Sequence, residues 1–288
     1  VLNGDALVRV RSAGRVADLT TETEKQGLVG DTGIAHTRWA THGAPCERNA
    51  HPHISNGLAV VHNGIIENHE QLRCELKAAG YEFTSDTDTE VIAHLTHKNL
   101  RKGLPLLKAV QSTVAALEGA FAIAVISNRA KRTMIASKKG APLLVGHGQG
   151  EFFIASDASA LVAYTKKITY LQEGDLVQLT ADQATFMDAR GAEVQREIIE
   201  SQLSADAVEL GPYDHYMQKE IFEQPRAIAD TLEGVEGIVP ALFGAEAAAL
   251  LPGVRSVLIL ACGTSYYAGC TAKYWLESIA GIPTQVEV

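Results

Sequence analysis

The sequence predicts an α+β fold, a layered αβ sandwich followed by the beginning of a parallel α/β domain. Two observations support this prediction. Short runs rich in β-branched and aromatic residues lie on both sides of a block with helical periodicity. That order is typical of a layered sandwich rather than of a strictly alternating doubly wound sheet. Near the C-terminus, strand, glycine turn, helix and strand follow one another, as in a βαβ unit.

Seven strands are predicted in the first part of the chain, many of them bounded by Gly, Asn or Asp. They cover residues 33–38, 58–62, 120–126, 133–136, 143–145, 152–155 and 176–179. Three helices are predicted between the second and third strands. Residues 67–79 place Leu72 and Leu76 four apart and stop at Gly80, a common residue after a helix. Residues 87–90 have the pattern of a capping box that opens the second helix, and 104–117 repeat the helical period.

The character of the sequence changes after residue 197, where polar and small residues become common. We predict three parts: a first domain over 1–197, a linker and connecting helix over 198–244, and a second domain that begins at 245 and is cut short at 288. The connecting helix, 213–232, contains Pro225, which should kink it or restart it. The second domain is predicted to contain a helix at 245–251, a strand at 254–261, a helix at 266–279 and a strand at 285–288.

Composition narrows the class of protein. The 25 basic and 34 acidic residues give a net charge of −9, which argues against a nucleic-acid partner. No apolar run is long enough to span a bilayer, and the first residues do not have the pattern of a secretory signal. The four cysteines have neither metal-type spacing nor the density of a disulfide scaffold. We therefore expect no membrane partner and a cytoplasmic location.

Residues 33–43 concentrate polar and aromatic side chains in a way that a core strand does not. Arg38 suits a carboxylate because its fork forms two parallel hydrogen bonds; a strand at the rim of a sheet, with its Arg satisfied locally, is the alternative. Asp86 and Asp88 could hold an ammonium group, although acidic residues are also common at helix N-termini. An Arg for a carboxylate and an Asp for an amine is what recognition of a free amino acid requires.

Two further motifs have a structural and a chemical interpretation. Asn63 and Gly64 follow a strand, so they form either a plain turn or an oxyanion hole made of a side-chain amide and a backbone N–H. Residues 262–265 join a strand to a helix, where backbone N–H groups and hydroxyls can bind a phosphate. The alternative there is a simple helix cap by Ser265.

Six of the ten histidines lie between His36 and His69, which raises the question of a metal site. Such a site would use His51 and His53 with His36, His42 or His62. The proline between His51 and His53 fits a loop, and no acidic partner stands at a recognisable spacing. We therefore expect neither a metal nor another cofactor.

Taken together, these motifs resemble a known family. Residues 36–43, 49–53, 62–68 and 85–90 resemble the glutaminase domain of class II glutamine amidotransferases. Residues 215–221, 223–225 and 261–266 resemble those members of the family that transfer nitrogen from glutamine to fructose 6-phosphate. The resemblance implies an N-terminal-nucleophile αββα sandwich, a linker and then a pair of sugar-isomerase (SIS) domains, with dimerisation through the isomerase part. It also implies that glutamine and fructose 6-phosphate give glutamate and glucosamine 6-phosphate.

The resemblance assigns roles to individual residues. Arg38 would bind the α-carboxylate of glutamine and Asp88 its α-amine, while Asn63 and the N–H of Gly64 would form the oxyanion hole. The remaining assignments place Thr41, His42 and His51 at the glutamine pocket, Trp39 at the gate of an ammonia channel, and Cys262, Gly263, Thr264 and Ser265 at the sugar-phosphate site.

The sequence departs from the family at the nucleophile. The family uses an N-terminal cysteine whose own amine acts as the base, whereas this sequence starts with Val1. Neither Cys46, in a loop, nor Cys74, on a helix, is expected to replace it. The positions of the isomerase catalytic residues have no match either, so we expect the chain as given to catalyse neither half-reaction. The alternatives are another class II amidotransferase, a sensor that binds glutamine or a sugar phosphate without turnover, and a metal-dependent hydrolase.

Overall fold

Strands and helices occur in blocks along the chain, as the sequence pattern predicts. A computed structural model describes residues 1–201, 210–232 and 246–288, which fall into two units, Val1–Glu209 and Leu210–Val288. The helices of the first unit are α1 (Val16–Lys25), α2 (His69–Ala78), α3 (Thr89–Arg101) and α4 (Leu106–Val114). Its strands are β1 (Leu2–Asn3), β2 (Ala6–Leu7), β3 (His53–Ser55), β4 (Leu58–Ile66), β5 (Gly119–Ser127), β6 (Ala130–Lys139), β7 (Leu144–His147), β8 (Phe152–Ala155), β9 (Lys167–Tyr170), β10 (Leu176–Leu179), β11 (Ala184–Met187), β12 (Glu193–Val194) and β13 (Ile199–Glu200).

Two antiparallel sheets form the body of the first unit. The larger sheet has seven strands in the order β12-β11-β10-β6-β5-β4-β3, and the smaller has four in the order β13-β9-β7-β8. The pairing of β4 with β5 is continuous from Leu58 opposite Ser127 to Ile66 opposite Gly119. The end of β4 is therefore held in a fixed register beside β5.

The seven-stranded sheet packs against a hydrophobic core on each face. Successive side chains of a strand point to opposite sides, so each central strand contributes residues to both cores. Val60 and Ile123 belong to a core that also contains Leu76 and Ile92 from the helices. Their neighbours Val61 and Ala124 belong to a second core, shared with Val145 and Leu171 of the small sheet and its surroundings. Helices α2–α4, the large sheet and the small sheet thus form successive layers.

Most of the predicted elements are confirmed, and the α+β fold class with antiparallel sheets is confirmed with them. β8 and β10 have the predicted bounds, and α2, α3 and α4 lie within or beside the predicted helices. The structure also contains elements that were not predicted, namely α1, β1, β2, β3, β9, β11, β12 and β13. Most of them are short, and α1 has no buried residue, so neither strong periodicity nor length marks them.

The predicted strand over 33–38 is wrong. The segment is extended, and its side chains alternate between exposed and partly buried, but no sheet ladder includes it among the described residues. Side-chain hydrogen bonds hold it instead: His36 bonds to Asn63 of β4, and the Arg38 guanidinium bonds to backbone carbonyls of the loop that follows. An alternating sequence pattern indicates extended backbone, but it does not show whether another strand pairs with the segment.

The second unit contains α5 (Tyr216–Leu232), α6 (Ala247–Leu250), β14 (Val257–Leu260), α7 (Gly263–Ser278) and β15 (Thr284–Glu287). β14 and β15 are parallel, with Val257 opposite Thr284, so the predicted βαβ order is present. α5 runs through Pro225 as one helix, and the predicted restart does not occur. No helix in the described parts of the chain has the length and apolar character needed to cross a membrane.

The predicted domain limits at 197 and 244 remain predictions. Parts of the predicted linker, 202–209 and 233–244, lie outside the described residues, as does residue 245, the first of the predicted helix 245–251. Inside the linker, β13 pairs with β9 through Ile199 and Ile168, so residues 199–200 belong to the small sheet.

Candidate functional site

One cavity in the first unit gathers most of the predicted pocket residues. Its volume is about 350 Å³. Four parts of the chain form its wall: the extended segment 36–41, His51 in the loop before β3, the end of β4, and residues 87–89 at the start of α3. The residues that line it are His36, Thr37, Arg38, Trp39, Thr41, His51, His62, Asn63, Gly64, Ile65, Thr87, Asp88 and Thr89.

Asn63 and Gly64 reach the cavity because β4 leaves the core at this point. Its first five residues are buried, and residues 63–65 are exposed. Gly64 has a φ of +116°, and a Cβ at this position would overlap the carbonyl oxygen of Ala120 on β5. Only glycine fits this close approach, so the strand can bend here while it stays paired to β5.

Asp88 is the buried acid of the cavity. It occupies the N-cap position of α3, and its Oδ2 accepts a hydrogen bond from the backbone N–H of Ile66 at 2.9 Å. The N-terminal end of a helix stabilises negative charge. Asp88 is 4% exposed and still lines the cavity, so a positively charged group that enters would meet a carboxylate with little competing water.

The loop before Asp88 is fixed by Glu90. The buried carboxylate of Glu90 accepts hydrogen bonds from the backbone N–H groups of Thr84 at 2.9 Å and Ser85 at 2.7 Å, and from both hydroxyls. Burial raises the pKa of Glu90, but the nearby His94 ring, at 3.6 Å, and hydrogen bonds from Ser85 and Thr84 outweigh it and leave the pKa below its usual value. The predicted capping box at 87–90 is therefore wrong: the helix starts at Thr89, and Glu90 bonds to the loop.

Arg73 on α2 supports the same loop from the other side. Its guanidinium donates to the carbonyl oxygens of Ser85 at 3.2 Å and Thr87 at 2.6 Å, and it stacks over the ring of Phe83. The position of Asp88 thus depends on two charged side chains, the buried Glu90 and the half-buried Arg73, and neither of them lines the cavity.

Arg38 lies in the wall of the cavity and organises the turn after it. Its guanidinium donates to the backbone carbonyl oxygens of His42, Gly43 and Ala44, the last two at 3.0 Å. An arginine has five N–H donors, and these bonds use its two terminal nitrogens. The rim-strand alternative, in which Arg38 is satisfied locally, therefore describes part of its role; binding of a carboxylate remains a prediction.

Four histidines form a cluster at the wall of the cavity: His36, His51 and His62 line it, and His53 lies next to His51. The rings of His36 and His51 stack at 4.1 Å, and His53 meets His51 edge-on at 5.0 Å. Burial lowers the pKa of His53 to about 4, and burial lowers that of His62 to about 4 despite the nearby Asp88. Burial, with the neighbouring histidines, holds the pKa of His51 far below its usual value. The cluster is uncharged at neutral pH.

The histidine rings bond to hydroxyl groups. His53 Nε2 lies 3.0 Å from Thr87 Oγ1, and His62 Nδ1 lies 3.1 Å from Thr89 Oγ1. Within residues 1–201, 210–232 and 246–288, no group of three or more His, Cys, Asp or Glu side chains is arranged to hold a metal ion.

The predicted gate residue Trp39 and the predicted pocket residue Thr41 lie at the edge of the cavity, and the predicted pocket residue His42 does not line it. Trp39 is 89% exposed, and Thr41 is also exposed. His42 is outside the lining, with its Nδ1 at 3.3 Å from Thr41 Oγ1 and its ring edge-on to His69. A gate at Trp39 remains a prediction.

The predicted phosphate site lies in the second unit. Cys262 is the N-cap residue of α7, and Gly263, Thr264 and Ser265 form the exposed first turn. The helix starts three residues before the predicted position 266, and a cap by Ser265 is therefore wrong. Phosphate binding by this turn remains a prediction.

Sequence reasoning did not single out the hydroxyl of Thr89 or the charge of Arg73, and it assigned Thr87 and Glu90 only to a capping box. Residues 85–90 contain an alternation of hydroxyl and acidic side chains. That alternation is the signal in the sequence that could have indicated these contacts. A helix cap alone needs only one hydroxyl or acidic side chain, and this segment has six.

Comparisons with known proteins indicate the kind of domain that contains the cavity. Residues 36–163 match the family model described as a glutamine amidotransferase domain. Proteins named glutamine–fructose-6-phosphate aminotransferase [isomerizing] are similar over nearly the whole chain. The protein from Bordetella pertussis is 53% identical over 98% of this chain, that from Vibrio cholerae 51% over 98%, and that from Xylella fastidiosa strain Temecula1 48% over 100%. A solved glutamine phosphoribosylpyrophosphate amidotransferase from B. subtilis, complexed with ADP and GMP, is 19% identical and covers 87% of this chain and 50% of its own, with a TM-score of 0.48.

Residues 36–163 therefore have a defined class, since they match a glutamine amidotransferase domain. Over nearly its whole length the chain is similar to proteins named glutamine–fructose-6-phosphate aminotransferase. It spans about half the length of the curated relatives that it matches, 47% of the Bordetella protein and 48% of the Xylella protein.

Proposed function

We propose that the protein is a glutamine-dependent amidotransferase that moves the amide nitrogen of glutamine to fructose 6-phosphate, giving glutamate and glucosamine 6-phosphate. The observation that carries the proposal is that Arg38, Asn63, Gly64 and Asp88 line one cavity of about 350 Å³. The names of the relatives supply the sugar substrate.

The cavity matches the three polar groups of glutamine. Arg38 binds the α-carboxylate through the guanidinium N–H groups that its bonds to the turn leave available, because hydrogen bonds between two charged groups are the strong ones. Asp88 binds the α-ammonium group from its buried position. The side-chain amide then extends towards the end of β4.

Asn63 and Gly64 stabilise the reaction at that amide. When a nucleophile attacks the amide carbon, the carbonyl oxygen becomes an oxyanion. The carboxamide of Asn63 and the N–H of Gly64 donate hydrogen bonds to it, and each such donor lowers the barrier by about 3 kcal/mol. The nucleophile that the resemblance implies is an N-terminal cysteine; neither Cys46 nor Cys74 lines this cavity.

The second unit takes the sugar phosphate. The first turn of α7 presents backbone N–H groups and the hydroxyls of Thr264 and Ser265, a combination that suits a phosphate. Residues 245–288 begin the sugar-isomerase domain, and the complete protein is a cytoplasmic homodimer that needs no cofactor. These statements rest on the family resemblance.

The test measures three quantities on the full-length protein: glutamine binding by calorimetry, glutamate release, and glucosamine 6-phosphate formation. Asn63→Ala should lower the glutaminase kcat by about two to three orders of magnitude and leave KM for glutamine nearly unchanged. Asn128→Ala is the matched control, because Asn128 lies at the β5–β6 turn, away from the cavity.

Two results would contradict the proposal. Full-length protein that binds glutamine but releases no glutamate is a sensor rather than an enzyme. Glutamate release with Asn63→Ala at the wild-type rate removes Asn63 from the oxyanion hole.

A further inference from the structure

We propose that His36 is a positioning residue that fixes the carboxamide of Asn63 so that its NH2 group faces the cavity. His36 Nε2 lies 2.7 Å from Asn63 Oδ1. The inference rests on the proposed function, because only an oxyanion hole requires Asn63 to present a donor rather than an acceptor.

The orientation of a carboxamide decides what it can stabilise. One side of the Asn63 amide is an acceptor and the other carries two N–H donors, so a half-turn about the last side-chain bond exchanges them. A carbonyl oxygen turned towards a developing oxyanion would repel it. The N–H at Nε2 of His36 donates a hydrogen bond to Oδ1 of Asn63, which leaves the NH2 group of Asn63 facing the cavity. In the reversed amide, an N–H of Asn63 would face the N–H of His36, and two donors cannot bond to each other.

Neutral His36 can do this in only one tautomer. Oδ1 of Asn63 accepts hydrogen bonds and cannot donate, so the proton of His36 must be on Nε2. Nδ1 of His36 is buried and has no hydrogen-bond partner among the described residues. With the proton on Nε2 that unpaired atom is a lone pair, whereas the other tautomer would bury an unpaired N–H at a cost of about 1–3 kcal/mol.

His51 holds the plane of the His36 ring. The two rings stack at 4.1 Å with 18° between their planes. The backbone N–H of His62 donates to Nδ1 of His51 at 3.3 Å. Neutral His51 therefore carries its proton on Nε2, which lies 3.3 Å from Thr89 Oγ1. A bond between Thr89 Oγ1 and His62 Nδ1 at 3.1 Å closes the loop.

Both stacked rings are uncharged at neutral pH, so the stack contains no like-charge repulsion. Burial lowers the pKa of His36, although the hydrogen bond to Asn63 acts in the opposite direction. The same chain of contacts connects Thr89, next to the amine-binding Asp88, with Asn63 at the other end of the substrate. The amine end and the amide end of the pocket are thus set by one unit of hydrogen-bonded and stacked side chains.

The first experiment determines the tautomer directly and does not depend on catalysis. In the 288-residue chain labelled with ¹⁵N-histidine, long-range ¹H–¹⁵N correlation spectra distinguish a protonated ring nitrogen from an unprotonated one. We expect His36 to be protonated at Nε2 and unprotonated at Nδ1. A proton on Nδ1 would overturn the inference and leave the proposed function standing.

The second experiment compares kinetics of the full-length enzyme. His36→Leu removes the donor and should lower the glutaminase kcat by about tenfold to a hundredfold, less than the loss expected when the oxyanion donor itself is removed. KM for glutamine should hardly change. His36→Gln offers an amide N–H near the position of Nε2 and should recover most of kcat. His97→Leu is the control, since His97 is also buried and bonds through one ring nitrogen, to Tyr81, but lies outside the cavity.

The outcomes separate the two hypotheses. Wild-type protein that neither binds nor hydrolyses glutamine contradicts the proposed function. If the wild type hydrolyses glutamine and His36→Leu has the same kcat, the positioning role is contradicted. It is also contradicted if His36→Gln is as slow as His36→Leu. Should His36→Leu fail to fold, the tautomer and the rate of His36→Gln still decide.

Discussion

Gly64→Ala tests why the strand that carries the oxyanion donors contains a glycine. The substitution keeps the backbone N–H and adds one methyl group. At a φ of +116° an L-residue is strained by about 1–3 kcal/mol. The added Cβ would also overlap the carbonyl oxygen of Ala120, which is fixed by the β4–β5 ladder and cannot turn aside. We expect a total loss of about 3–5 kcal/mol, a large part of the stability of an ordinary domain.

Gly80→Ala provides the matched control. Gly80 also has a positive φ, +86°, but a Cβ there would meet no atom within 4 Å. Its cost should be that of the backbone conformation alone, about 1–2 kcal/mol. The difference between the two variants therefore isolates the contact with the neighbouring strand.

The assay is urea denaturation followed by circular dichroism, with hydrogen exchange of the β5 amides to locate the loss in the first unit. The reasoning predicts that Gly64→Ala loses about 2 kcal/mol more than Gly80→Ala and that the β5 amides opposite it exchange faster. Equal losses in the two variants would show that the sheet relaxes around the methyl group, and the explanation for Gly64 would be wrong.

Three further changes test the wall of the cavity. Arg38→Ala should weaken glutamine binding about tenfold to a hundredfold, since charge-assisted hydrogen bonds contribute about 1.5–3 kcal/mol, whereas the exposed Arg129→Ala should not; calorimetry measures both. Glu90→Gln should lower the unfolding free energy by about 1–3 kcal/mol because an NH2 group would face N–H and O–H donors, and a melt within error of wild type would contradict that. Unfolded His53 binds a proton near pH 6.5 and the native residue only near 4, so stability falls as the pH drops through this window. His53→Gln should remove up to about 3 kcal/mol of that fall, and denaturation of the variant and the wild type at several pH values checks it.

The local parts of the fold were predictable from the sequence. Helix α2 follows from Leu72, Leu76 and Gly80, and β8 and β10 follow from short apolar runs between turn residues. Each of these depends on residues within one element, where periodicity and turn chemistry act directly.

The candidate site was predictable as a set of residues but not as a geometry. Arg38, Asn63 and Asp88 were singled out by chemistry, and the structure brings them to one cavity. The contacts that set their orientation join distant positions: Asn63 to His36, and His51 to Thr89. Residue type alone does not indicate that Glu90 bonds to a loop rather than to its own helix end, because both arrangements suit a carboxylate near a helix N-terminus.

The connection between β4 and β5 has a consequence for how this protein can vary. The chain leaves the sheet at Glu67 and returns at Glu118, and these two residues are bonded to each other, N–H to carbonyl, at 2.9 Å. Asn68 reinforces the junction with bonds to Ala116 and Glu118. The three helices are therefore an insertion whose two ends are joined. Their surface loops can lengthen or shorten over evolution without shifting the strand register, and a designed insertion or affinity tag is best placed at Gly103, in the exposed turn between α3 and α4.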